Sequence, residues 1–84
     1  MSVEQDFAAA KEKVMTLTEK PNNEVLLNLY AFAKQAEVGE INIDPPKMFD
    51  FVAQAKYNAW KGKAGMDKEA AMQAYIDLVN SLLK

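Results

Sequence analysis

Apolar residues recur along this chain at spacings of three and four, in four stripes separated by short polar or proline-bearing stretches. The first stripe, Val3, Phe7, Ala10, Val14 and Leu17, follows a Ser2–Gln5 pair that reads as a capping box. Pro21, Asn22 and Asn23 break it and supply a cap for the second helix, whose first-turn Glu24 suits the positive end of the helix dipole. That second helix carries Leu26, Leu27, Leu29, Tyr30, Phe32, Ala33 and Ala36 and stops at Gly39, a C-terminal glycine signal. From Glu40 to Lys47 the chain is a loop: Pro45 and Pro46 forbid helix, and Ile41 and Ile43 are expected to anchor it on the core. A third helix is expected from about Met48 to Lys61, burying Phe49, Val52 or Ala53, Tyr57 and Trp60. Gly62 and Gly65 bracket a turn, and Asp67 then caps a fourth helix with the stripe Met72, Tyr75, Ile76, Val79, Leu82 and Leu83. No alternating strand pattern extends beyond Ile41–Ile43, so the pattern predicts an all-α, four-helix domain.

Composition narrows what such a domain can do. With 84 residues, half of them apolar, the chain is read as one domain over residues 1–84 with a thin core. No apolar run approaches the ~20 residues needed to cross a bilayer, and Glu4 and Asp6 interrupt any signal-peptide pattern at once. Stable membrane insertion is therefore not expected, and the expected compartment is the cytoplasm. Histidine, cysteine and arginine are absent, and serine occurs only as Ser2 and Ser81. The usual proton shuttles, thiol nucleophiles and zinc ligands are thus missing, so neither an enzyme nor a metal site is expected. The net charge of −2 argues against a general nucleic-acid binder. Between Met48 and Gly65, however, Lys56, Lys61 and Lys63 face a single acid, Asp50. Such a local positive patch fits a small anionic ligand.

Tyr30 and Lys34 lie four residues apart, and so share one face of the second helix. Lys56 lies four residues before the single tryptophan, Trp60. The second helix is apolar around more than one face, which leaves surface for a ligand or partner to cover. A phenol and cations beside a leucine patch fit a molecule with an oily end and an anionic end. Lysines can hold a phosphate as tolerant point charges, and each methylene buried on leucine adds about 0.8 kcal/mol. The same residues also admit a second reading, a small helical module that docks a partner helix on the second helix's apolar face. A lysine-rich membrane-surface helix ranks below both, because no segment combines enough basic charge with a large apolar face.

The run Pro21-Asn22-Asn23-Glu24-Val25-Leu26-Leu27-Asn28-Leu29-Tyr30, continued by Lys34-Gln35-Ala36 and Val38-Gly39, resembles the signature of the acyl-coenzyme A binding proteins. Gly39-Glu40-Ile41-Asn42, Pro46, Met48, Asp50-Phe51, Ala55-Lys56, Ala59-Trp60, Lys68-Glu69 and Ala74-Tyr75-Ile76-Asp77 extend the likeness over essentially the whole chain. The resemblance implies an up-down-down-up four-helix bundle that binds medium- and long-chain fatty acyl-CoA. It further implies an intracellular carrier and buffer of the acyl-CoA pool; no cofactor is expected, and nothing in the sequence demands more than a monomer. Enzymes that make or consume acyl-CoA are the partners it implies. By resemblance, Tyr30, Lys34 and Lys56 hold the 3′-phosphate and adenine end of the nucleotide, and Tyr75 also contacts the ligand. Leu26 and Leu27 line the acyl-chain groove, with Ala55 beside it. Ala33 stands where the family usually stacks an aromatic ring on adenine, and Met15 where a lysine often meets the nucleotide. Pro45 replaces a commonly charged residue, and Tyr57 a frequent tryptophan.

Overall fold

The computed structural model describes residues 2–83, and among them it has four helices and no strand. They are α1 (Val3–Val14), α2 (Asn23–Glu37), α3 (Phe51–Lys61) and α4 (Lys68–Leu82). The capping box of α1 is complete: Gln5 N–H donates to the Ser2 hydroxyl, and Ser2 N–H to the Gln5 side chain. The Asn22 and Asp50 side chains accept from Val25 N and Ala53 N and so start α2 and α3, whereas Asp67 sits at the head of α4 without a side-chain cap bond. Beyond α2, Val38 and Gly39 both donate to Lys34 O, and Gly39 takes φ 95°, a left-handed turn suited to glycine.

Hydrogen bonds and shared hollows fix the directions. Leu17, just past α1, and Leu82, at the end of α4, line one hollow, so these two helices run the same way. Gln35, late in α2, donates to Met66 O just before α4, which makes α2 and α4 antiparallel. Leu26 and Leu27 meet Phe51 and Val52 at one end of α2 and α3, and Trp60 Nε1 donates to Gly39 O at the other. The bundle is therefore up-down-down-up. α4 packs between α1 and α2, and α3 packs on α2 alone; no other pair of these helices packs backbone to backbone.

The core joins Phe7 and Ala10 of α1, Leu29 and Ala36 of α2, and Ala71, Tyr75 and Val79 of α4. Phe7 meets Tyr75 edge to face at 5.1 Å. At the surface, Lys11 pairs with Glu37 at 2.7 Å and ties α1 to α2. None of these helices is long and apolar enough to cross a membrane.

Four expectations change. The third helix starts at Phe51, because the chain turns through Lys47–Asp50 before Asp50 caps it. Its buried side is also narrower than expected: Trp60 is buried and Ala53 and Tyr57 half-buried, but Phe49 and Val52 are exposed. One neighbouring helix covers only one narrow face. Leu17 lies outside α1, whose exit tightens into i→i−3 bonds at Met15, Thr16 and Leu17. Ile41 is half-buried, but Ile43 and Leu83 are exposed and anchor nothing.

Candidate ligand groove

α2 and α3 run side by side, and their facing sides leave a groove of about 510 Å³. That lies within the ~300–1,000 Å³ usual for small-molecule sites. Leu26, Leu27, Phe51, Val52 and Ala55 give it apolar walls. Tyr30 and Lys56 stand toward one end, and Lys20 and Asn23 toward the other. From Asn23 to Tyr30 the helix advances roughly 10 Å at 1.5 Å per residue, so the polar and oily parts of the groove are spread along α2.

The cations converge on aromatic faces. Lys56 Nζ lies 5.4 Å from the centre of the Tyr30 ring, and Lys34 Nζ lies 5.8 Å from the rings of both Tyr30 and Trp60. These are cation–π distances, and they hold two ammonium groups around one phenol. The Trp60 indole is fixed by its N–H bond to Gly39 O at 2.9 Å, so the wall under Lys34 is held by the end of α2. Trp60 is a buried packing residue that also backs the lysine.

The structure thus brings together Tyr30, Lys34, Lys56, Leu26, Leu27 and Ala55. Three other candidates lie elsewhere. Met15 is 85% exposed at the C-cap of α1 and does not line the groove. Ala33 packs half-buried against the core. Tyr75 is a core residue whose phenol is pushed above its ordinary value of 10.0 by burial first and by the Glu37 carboxylate second.

Phe51, Val52, Lys20 and Asn23 line the groove without having been singled out for it. For the first two a signal existed, since Phe51 precedes Ala55 by four residues and Val52 precedes Lys56 by four. Lys20 lies in the α1–α2 connection, where helical periodicity carries no information. No group of three or more histidine, cysteine or acidic side chains is placed to hold a metal ion among the described residues.

The family model described as "Acyl CoA binding protein" matches residues 4–79 of the chain. The chain belongs to the acyl-CoA-binding protein family. It is 45% identical over 83 residues to acyl-CoA-binding protein homolog 1 of Caenorhabditis elegans, covering 99% of this chain and 94% of that protein. With the acyl-CoA-binding protein homolog of Drosophila melanogaster the identity is 42%, over 96% of this chain and 94% of that one. Acyl-CoA-Binding Protein 2 of Oryza sativa superposes with a TM-score of 0.93 at 38% identity, covering 98% of this chain and 91% of the rice chain. The chain is also 46% identical to enoyl-CoA delta isomerase 2 of Rattus norvegicus over 96% of its own length. It spans only 21% of that protein, about a fifth.

Proposed function

We propose that this acyl-CoA-binding-family chain binds medium- to long-chain fatty acyl-CoA in the α2–α3 groove and acts as a carrier and buffer of the acyl-CoA pool. The observation that carries this reading is the pair of ammonium groups, Lys34 and Lys56, gathered at Tyr30 beside an apolar wall of Leu26, Leu27 and Ala55. The lysines and the Tyr30 hydroxyl take the 3′-phosphoadenosine end, and the leucines take the hydrocarbon. Lysine suits this role, because a point charge on a flexible stem follows a phosphate without demanding a fork geometry. In this reading the nucleotide grip centres on Tyr30, Lys34 and Lys56, which their cation–π contacts gather at one place. The chain then works as a monomer in the cytoplasm and performs no bond chemistry itself. Enzymes that make or consume acyl-CoA exchange it with the groove.

Calorimetric titration with palmitoyl-CoA, its 3′-dephospho analogue and palmitate tests the reading, in the wild type and in K34M and K56M. Each substitution is expected to weaken palmitoyl-CoA binding about ten- to a hundredfold, the worth of one charge-assisted contact. The dephospho analogue should bind more weakly than the intact ligand and lose little further in the variants. Equal affinity of the wild type for both nucleotides would sink the role given to the lysines.

A further inference from the structure

α3 packs on α2 alone and buries only Trp60, so apolar packing by itself holds it weakly. Its C-terminal end is fixed by three hydrogen bonds to residues 35, 39 and 40, at and just beyond the end of α2. Trp60 Nε1 donates to Gly39 O at 2.9 Å, Gly65 N to Glu40 Oε1 at 2.7 Å, and Gln35 Nε2 to Met66 O at 3.0 Å. Gln35 Nε2 also reaches Glu40 Oε1, at 3.5 Å. Gln35 is the one polar side chain buried among the described residues, at 1% exposure. Its Oε1 has no partner among those residues, so only the Nε2 bonds offset the cost of burying it. The residues after α2 thus clamp the α3–α4 turn.

The clamp adjoins the lysine grip. Gly39 N donates back to Lys34 O at 3.2 Å, and Gly39 O holds the indole whose ring lies 5.8 Å from Lys34 Nζ. Lys56 stands one turn before Trp60, with its Nζ 5.4 Å from the Tyr30 ring. The turn carries the hold from Gly65 to the helix: Met66 N donates to Lys63 O at 3.1 Å, and Lys63 N to Trp60 O at 2.9 Å. We infer that Glu40 is a positioning residue for the nucleotide end of the groove. Its carboxylate ties the α3–α4 turn to the end of α2, and so keeps Lys56 over Tyr30 beside Lys34. Glu40 acts through Gly65 and Trp60, as the element that spaces the two cations. This inference rests on the acyl-CoA reading of the groove and adds to it the part that sets its geometry.

The test is calorimetric titration of E40A and E40Q with octanoyl-CoA and its 3′-dephospho analogue, in the wild-type and K56M backgrounds. Both substitutions remove the same charge, but glutamine keeps an oxygen that can accept from the Gly65 N–H. E40A should therefore bind octanoyl-CoA roughly three- to tenfold more weakly than E40Q, the worth of one hydrogen bond. The gap should shrink for the dephospho analogue and close in the K56M background, where no second cation is left to place. Equal affinity of E40A and E40Q for octanoyl-CoA would overturn the inference. So would a gap of the same size for both ligands or in both backgrounds, the mark of general loosening. Trp60, the single tryptophan, gives a reading without ligand: its emission should move to longer wavelength in E40A and not in E40Q. Failure of octanoyl-CoA to bind the wild type would strike the groove reading instead. The Trp60 emission would then decide whether Glu40 fixes α3, and an unchanged E40A spectrum would overturn that hold.

Discussion

Two tyrosines with opposite surroundings show how much a single residue's setting decides. Tyr30 is half-buried with ammonium groups over its ring, whereas Tyr75 is packed into the α1–α4 interface against Phe7. Burial and the nearby Glu37 carboxylate both disfavour the Tyr75 phenolate, so its folded value lies above the unfolded one. The stability held by the neutral phenol is then fully present below the unfolded value near 10 and is lost as pH rises toward the folded value. Urea denaturation from about pH 8 to about pH 11 should show wild-type stability falling across the top of that range, and a flatter profile for Y75F. Identical slopes would remove Tyr75 from the account. The burial of Tyr75 was legible in the spacing of Met72, Tyr75, Ile76 and Val79. The pairing of Tyr30 with Lys34 was equally legible from their four-residue offset. That Lys56 joins them was not, because the contact depends on how α3 lies against α2. Family resemblance rather than periodicity pointed to it.

Among the elements, α2 does most of the organising. One side faces α4 through Leu29 and Ala36, and another carries α3 and the groove. This explains why its apolar residues exceed a single stripe, a feature visible in the sequence before any packing was known. Its end is set by Gly39, whose φ of 95° excludes most side chains and whose carbonyl holds Trp60. G39A should cost about 1–2 kcal/mol in left-handed strain. The melting temperature should fall by roughly 4–16 °C, as differential scanning calorimetry would measure. An unchanged melting temperature would mean that this turn relaxes freely. The bounds of α3 were the least legible. The alternation of apolar residues from Met48 to Trp60 fits a helix buried along its length, but a helix with one neighbour buries only the strip that neighbour covers. Phe49, and Val52 as the alternative to Ala53, were read as core for that reason; both are exposed, and Ala53 is half-buried.

At the scale of the molecule, the radius of gyration is 13.0 Å, a little above the roughly 12 Å expected for a compact chain this long. The extents of 39 × 29 × 15 Å describe a flat body. Flatness follows from the packing pattern: with α1–α2, α1–α3 and α3–α4 not packed backbone to backbone, the helices spread into an open arrangement. α3 has Trp60 as its one buried residue and α2 as its one support. Native-state hydrogen exchange should therefore find α3 amides opening at lower free energy than those of α2 and α4. Saturating palmitoyl-CoA should slow α3 exchange selectively, because the ligand adds a second contact surface to that helix. Exchange from α3 as slow as from α4, with or without ligand, would contradict this ranking. The four-helix class itself was readable from the stripes, but the open arrangement was not, since a stripe reveals that a face is buried without naming its partner.

The pairing of α1 with α4 alone has a further consequence, for the order of events on the ribosome. The first helix synthesised has no helix to pack against until the last one exists, a surface ion pair to α2 aside, so Phe7 and Ala10 lack their α4 cover while the whole of α2 and α3 emerges. Folding from the N-terminus forward is closed to this topology, and cooperative assembly has to wait for α4. A nascent chain halted before Lys68 is thus an exposed apolar helix in search of a cover, and that is the stage at which a chaperone has something to hold.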